Sequence, residues 1–480
     1  MKEAVHIFLK DTRQLRFPIA IVLAWTAIFL VVAAATPAPF LRFQDWLGRL
    51  AFGVLTVSNY VLPVGWWFLI SRAFHADAIP GSRQFWLTRT YSRSSLLGAK
   101  ALFVVAYITL PLALAQTAVV LFRGFPLSHS IPGLLWSQLM ILAIVVLPAA
   151  ALASLTSKLT QFVVAGLAAP LLFLANNLLR SWGAFEWVRA SIAIGIVVTA
   201  TSTVLFVQFA RRRTGTSRLI ATAGILGLVA ALALTPWRAA FALQSQITAD
   251  WNGRLSAVLV KSPPREGRAA ERIGPLSFQI VGLPAATPIA CAAAEATIEG
   301  QDGVWQTGLR IGRTGAMSTI SDGCILTVSD ALAGQVGTRQ VNIHAILYIT
   351  VFGADRPTTV PIDQPPTIVP SAGLCSGVTY TDLIRARSET VDNSATLVSC
   401  QSVFRDPRVI LLSSRKGSEL LPGRVSYSPF PADLRIAPVD DVAYFNSEPV
   451  ASMTVFTREP VAHVRAVVDV RDVYLQDFLR

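Results

Sequence analysis

The sequence is 480 residues long and 53% hydrophobic, with only 14% charged residues, a formal charge of +13 and a mean hydropathy of +0.54. A soluble globular chain carries roughly 25% charged residues, so this composition excludes an ordinary soluble domain and points to a membrane protein. The charge is unevenly spread: residues 1–244 hold 20 Lys and Arg against 5 Asp and Glu, whereas 245–480 hold 21 against 23. The basic residues lie between apolar runs rather than along one stripe, which argues against nucleic-acid binding.

Residues 1–16 read as a helix. Val5, Phe8 and Leu9, with Leu15 further on, share an apolar side, while Lys10, Arg13 and Arg16 reach towards lipid head groups, as in an interfacial helix leading into the membrane. A cleaved leader is disfavoured, because a charged lead of this length containing Glu3 and Asp11 does not suit one. A helix needs roughly 20 apolar residues to cross the hydrocarbon. Candidate spans are 17–35, 51–71, 101–122, 134–155, 162–179, 190–210 and 219–235, giving a polytopic α-helical bundle of about seven spans within 17–236. The fifth and seventh are short, so six spans is the other count. Pro63, Pro111, Pro148 and Pro170 fall inside spans, where membrane helices tolerate proline.

With the N-terminus in the cytoplasm, the inside segments carry 14 Lys and Arg and the outside loops carry 5. That bias sets an inside N-terminus, and seven spans then leave the second half outside the cytoplasm. Cys291, Cys324, Cys375 and Cys400 all lie in that half. An even count confined to one region suggests two disulfides and an oxidising compartment. Three pairings are open; sequence neighbours, Cys291 with Cys324 and Cys375 with Cys400, are the pairing taken here. A six-span count would instead leave the cysteines in the cytoplasm.

Residues 237–275 read as a linker with a polar, Pro-containing stretch at 261–271. A β-rich, sandwich-like domain is expected over 276–480, with strands near 276–281, 325–328, 341–352, 395–403, 408–412 and 461–473. Val341 to Val351 alternates apolar residues on one face, as do Val464, Ala466, Val468 and Val470, with Arg465, Asp469 and Arg471 opposite. Period two with one polar face is the pattern of half-buried antiparallel strands.

The chain contains no Gly-x-x-x-x-Gly-Lys-[Ser/Thr] loop, Gly-x-Ser-x-Gly, His-Glu-x-x-His or Cys-x-x-Cys. The five histidines lack paired ligand spacing, so no metal is expected on them. No acidic residue falls at mid-depth in a span, which disfavours an ion-coupled transporter. Asn59, Gln116, Gln138, Asn176 and Asn177 are the main intramembrane polar residues, and both helix–helix hydrogen bonding and a translocation path accommodate them.

The segment 72–100, RAFHADAIPGSRQFWLTRTYSRSSLLGAK, is long, basic and aromatic, yet not apolar enough to cross. Phe85, Trp86 and Leu87 can bury against a surface or a partner, and Arg83, Arg89 and Arg93 offer donors to carboxylates or phosphates. An interfacial helix with snorkelling arginines is the plainer reading. Asp77, then Phe85-Trp86-Leu87-Thr88-Arg89-Thr90-Tyr91-Ser92-Arg93, Leu96-Leu97 and Lys100 resemble the loop before the third membrane helix in permease subunits of the type-2 ABC exporter family. The amphipathic Ile7-Phe8-Leu9-Lys10-Asp11 is similar to that family too. The sequence departs at Thr90, where the pattern prefers Pro, and at Tyr91, where it prefers an aliphatic residue. The usual family plan has six spans and no large C-terminal domain.

The resemblance implies a permease of an ATP-driven exporter in the inner membrane. It implies a cytoplasmic coupling helix, involving Asp77, Phe85, Trp86, Leu87, Arg89, Ser92, Arg93 and Lys100, that docks on a separate ATPase subunit. ATP and Mg would then be held by that partner, with no catalysis on this chain, and the permease would pair with itself or with a different subunit. The alternative is a membrane-anchored extracytoplasmic binding or sensory module without transport activity.

Overall fold

The computed structural model describes residues 2–35, 46–76, 92–122, 124, 126–167, 186–211, 213–234, 238–239, 241–243, 256–260, 276–282, 289–300, 303–311, 323–326, 332, 334, 338–353, 356–365, 367–369, 373–380, 395–402, 410–416, 419–426, 439–446, 451–458 and 460–478. Helix α1 (Lys2–Gln14) leads through Leu15 into α2 (Arg16–Ala35), and α3 (Trp46–His75) follows. The third long helix is built from α4 (Arg93–Val104) and α5 (Leu110–Phe122), and the fourth from α6 (Leu127–Ile141) and α7 (Leu147–Leu155). Then come α8 (Glu186–Phe206) and α9 (Thr214–Leu234).

Among the described residues six helices are long and apolar enough to span a membrane: Arg16–Ala35, Gly53–His75, Ser94–Phe122, Ser130–Leu155, Ser191–Arg211 and Thr214–Ala231. The last candidate span begins earlier than its apolar run suggests, and α9 has 21 residues. The candidate at 162–179 lies mostly outside the described residues.

The long helices are not uniform. Short π-helical turns, Val105–Thr109 and Leu142–Val146, join α4 to α5 and α6 to α7. Each has a proline just beyond it, Pro111 and Pro148. A proline ring collides with the carbonyl four residues earlier, here that of Tyr107 or Ile144, and both carbonyls lie within the π turns. The wider turn relieves the collision without ending the span.

Polar side chains inside the bundle are matched helix to helix. Gln116 donates to Ser137 (3.1 Å) and accepts from Gln138 (2.9 Å), joining α5 to α6. Trp25 donates to Ser58 (3.2 Å), joining α2 to α3. Helix–helix bonding therefore accounts for two of the residues that left a translocation path open. Asn59 donates to its own helix at Leu55, and Asn176 and Asn177 lie outside the described residues.

The second half is β-rich. A three-stranded sheet has the order β1 (Ser256–Val260), β2 (Leu276–Val281), β5 (Gly323–Leu326). A four-stranded sheet runs β15 (Pro460–Tyr474), β6 (Gln340–Phe352), β3 (Ile289–Gly300), β4 (Gly303–Ile311). These two sheets bury one core between them, in which Leu276, Phe278, Ile298, Leu347, Ile349 and Ala466 are almost wholly enclosed.

Two further sheets follow. One is ordered β13 (Val439–Asn446), β10 (Ala395–Ser402), β9 (Gly373–Tyr380), β8 (Thr367–Val369). The other is ordered β12 (Glu419–Ser426), β11 (Ile410–Lys416), β14 (Ser452–Arg458), β7 (Arg356–Pro361). Where β7 passes β9, Ile362 lies so close to Gly377 that a Cβ there would overlap it, so the approach needs glycine.

Two expectations change. Strand β1 falls inside 237–275, so that stretch is not simply a linker: Ala257 and Leu259 belong to the first β core. Strand β6 is not half-buried along its length. Val341, Ile343, Ala345, Leu347, Ile349 and Val351 face the core as the alternation requires, but Tyr348, Thr350 and Phe352 on the opposite face are also buried.

Cys291 and Cys324 form a disulfide between β3 and β5, tying the two sheets of the first core together. A β-bulge between Cys291 and Ala293 lets Cys291 and Ala294 both address that core. Cys375 is also disulfide-bonded and lies across from Cys400 in the β9–β10 register. Thiol labelling of unreduced, denatured protein is expected to find no reactive cysteine, and to find four after reduction.

Candidate functional site

The flanks of the 72–100 segment are held by a small number of polar contacts. Helix α3 delivers its last turn at Ser71 to His75. The His75 Nε2–H donates to the carbonyl of Thr156 at 3.0 Å, and the Thr156 hydroxyl is 3.1 Å away. Because a carbonyl only accepts, the proton must be on Nε2, which leaves Nδ1 to accept from the Ser71 hydroxyl at 3.3 Å. Phe162 lies edge-on to the same imidazole. The descending end of α3 is thereby fixed to the end of α7.

On the other flank, Ser92 caps α4 by accepting from the Ser95 amide at 3.1 Å, the usual remedy for the unpaired amides of a helix start. Ser95 donates its hydroxyl to the Glu3 carboxylate at 3.0 Å. About three turns on, in the π turn that follows α4, Tyr107 donates to Thr12 (3.2 Å) and stacks on Phe8. Helix α1 therefore runs alongside α4 in the same direction, contacting it from Glu3 to Thr12.

Between these contacts lies the ion pair on which both flanks converge. Lys100 Nζ is 2.7 Å from Asp11 Oδ2 and donates to the carbonyl of Ala73 at 2.6 Å. Both charged side chains are inaccessible, at 1% and 0% exposure. Ala73 is in the last turn of α3, whose carbonyls have no partner within the helix, and an ammonium placed there also complements the helix dipole. One side chain thus binds the N-terminal helix, the end of α3 and the start of α4.

Other contacts gather more segment ends at this same end of the bundle. Phe209, after α8, packs edge-on against Phe74. Arg218, near the start of α9, reaches the carbonyl of Leu155 at 3.4 Å. The start of α2, the ends of α3, α7 and α8, and the starts of α4 and α9 therefore meet. This end carries Lys2, Lys10, Arg13, Arg16, Arg72, Arg93, Lys100, Lys158, Arg211, Arg213 and Arg218, against Glu3 and Asp11 among the described residues.

Of the residues expected to form a coupling surface, Asp77, Phe85, Trp86, Leu87 and Arg89 lie outside the described residues. Ser92 is the α4 cap and Arg93 the first residue of that helix. Lys100 is turned inward and buried, so any part it takes in coupling passes through Asp11 and Ala73 and not through direct contact with a partner. The sequence alone does not pair it with Asp11, Glu3 with Ser95, or His75 with Thr156. The available signal was chemical: a lysine within an apolar helix requires an anion nearby, and only Glu3, Asp11, Asp45, Asp77 and Glu186 exist in residues 1–244.

No family model, no curated protein and no solved structure matches this chain.

Removing one member of a buried ion pair strands the other, at a cost of about 3–5 kcal/mol. Lys100→Met alone and Asp11→Leu alone are each expected to lower thermal stability of the solubilised protein by that order. The double variant is expected to recover much of the loss, and a thermodynamic cycle on the three variants measures the coupling.

Proposed function

We propose that this chain is the membrane-spanning permease subunit of an ATP-driven ABC exporter, coupled through the 72–100 segment to a separate ATPase subunit that holds ATP and Mg. The observation that carries this reading is the clamping of the segment's flanks, the end of α3 and the first turns of α4, to each other and to α1 and α7. An external protein that pushes on 77–91 acts directly on α3 and α4, and through Lys100 and His75 on α1 and α7. A loop meant only to join two spans has no need of such a linkage.

The basic end of the bundle is read as cytoplasmic, by the preference of Lys and Arg for cytoplasmic loops. The chain then resides in the inner membrane with its N-terminus inside. Contact geometry supports seven crossings. The end of α7 and the end of α8 meet at the same end of the bundle, an arrangement that favours the seven-span count over six. Seven crossings place the β-rich region outside the cytoplasm, where its disulfides are stable. The permease would act as a homodimer or heterodimer, with no catalysis of its own.

Affinity purification of the tagged chain from its native membranes is expected to recover an ATPase. Trp86→Ala combined with Arg89→Glu is expected to lower that recovery at least about tenfold, the equivalent of 1.4 kcal/mol, while leaving the chain monodisperse. Absence of any ATPase would overturn the coupling reading. Deletion of 250–480 separates it from a membrane-anchored binding module, because ATPase recovery should survive the deletion.

A further inference from the structure

The chain does not pass freely from the bundle into the β-rich region. Residues 238–239 and 241–243, just beyond α9, are helical, and they lie on the outer face of the β15-β6-β3-β4 sheet. Arg238 grips the carboxylate of Glu295 on β3 with two donors, Nε at 3.2 Å and Nη2 at 2.7 Å. Phe241 is buried, with its ring 4.9 Å from that of Tyr348 on β6 and 6.4 Å from the imidazole of His463 on β15. Beneath it, His463 Nδ1 is 2.9 Å from the hydroxyl of Thr350, and Thr350 is fully enclosed. This is why β6 is buried on both faces from Tyr348 onward.

We propose that residues 238–239 and 241–243 form a latch that fastens the last described span to the β-rich region, and that acid opens the latch by protonating His463. The proposal is independent of the permease reading.

Each contact has a part in it. Arg238 and Glu295 are the polar fastening at the rim, where Arg238 is solvent-exposed, so the pair aligns the segment more than it holds it. Phe241 supplies the apolar fastening, at the junction of β6 and β15. His463 is the titrating group within that footing. Burial holds its pKa down to about 4, against an ordinary 6.5, because a charged imidazole loses solvation under an apolar ring.

The charged groups around it do not compensate. Arg238 on the latch and Arg465 on β15 are cations. Glu295 on β3 is engaged by Arg238 and accepts from the Tyr348 hydroxyl at 3.4 Å. Tyr348 on β6 stays neutral, its own pKa raised by burial and then by Glu295.

The direction of the pH effect follows from linkage. A histidine whose pKa is depressed when docked leaves docking intact above pH 6.5. Docking then weakens as pH falls from 6.5 towards 4, since the open state takes up the proton more readily. At pH 4.5 the docking constant should be lower on the order of 10²-fold.

Nitroxides introduced through Ala239→Cys and Val467→Cys, both exposed positions, test this in the full-length, unreduced protein, whose native cysteines are bonded. Electron–electron dipolar measurement is expected to give one narrow distance at pH 7.5 and a broad distribution at pH 4.5. His463→Gln keeps a hydrogen-bonding group towards Thr350 but does not titrate, and should remain narrow at both values. If glutamine alone loosens the segment at pH 7.5, His463→Phe takes its place. Phe241→Ala should be broad at both. A second label pair, Val304→Cys with Val467→Cys, spans the sheet itself and should stay narrow throughout. A narrow distance at pH 4.5 in the unsubstituted chain, acid broadening that persists without His463, or broadening of the sheet pair would each overturn the proposal.

Discussion

An ammonium group buried in an apolar bundle must be met by an anion and by acceptors for its remaining protons. Lys100 meets that requirement through Asp11 and the carbonyl of Ala73, and the placement of three helices follows from it. Helix α1 cannot drift from α4 without exposing Lys100 to hydrocarbon or stranding Asp11. Helix α3 cannot withdraw without removing the ammonium's second acceptor. Neighbouring contacts at Glu3–Ser95 and Thr12–Tyr107 set the direction of α1, but they are exposed or half-exposed and are individually weak. The buried pair makes the arrangement all-or-none.

The same reasoning separates what was legible in the sequence from what was not. Spans near 17–35 and 101–122 declare themselves by length and apolarity alone, because lipid imposes that demand on each helix separately. Strand β2 appears at the residues expected, and β6 and β15 almost so, since a core on one face forces period two. Strand β3 was missed because IACAAAEATIEG is rich in alanine, which favours helix in isolation. It becomes a strand because β6 and β4 pair with it on both sides, a tertiary effect that no local window contains. Strand β7 begins and ends with proline-containing pairs, which weaken its own signal.

Pairings across the fold were the least legible. The Asp11–Lys100 contact joins positions 89 residues apart, and Thr350–His463 joins positions 113 apart. Nothing in the spacing of either pair singles it out. The neighbour pairing of Cys291 with Cys324 holds, for a reason sequence proximity did not supply: β3 and β5 lie on opposing sheets of one core, and the bulge after Cys291 returns the chain to that core.

Helix α9 relates the two anchored regions to each other. Its first turns are at the basic end, where Arg218 reaches the last carbonyl of α7, and the chain beyond its far end enters the segment fastened to Glu295 and covered onto His463. Between these points it is little enclosed: only 6% of its apolar window is buried. Its close contact is with α8, where a Cβ on Gly224 would stand 2.7 Å from that of Ala200. Small residues at such a crossing let two backbones approach without interlocking long side chains. Ile220 and Ala221, one turn before Gly224, pack against Val204 of α8 and against Ala151 and Leu155 of α7. The Arg218 contact with α7 and the footing of Phe241 on β6 and β15 are thus joined in sequence by a single helix.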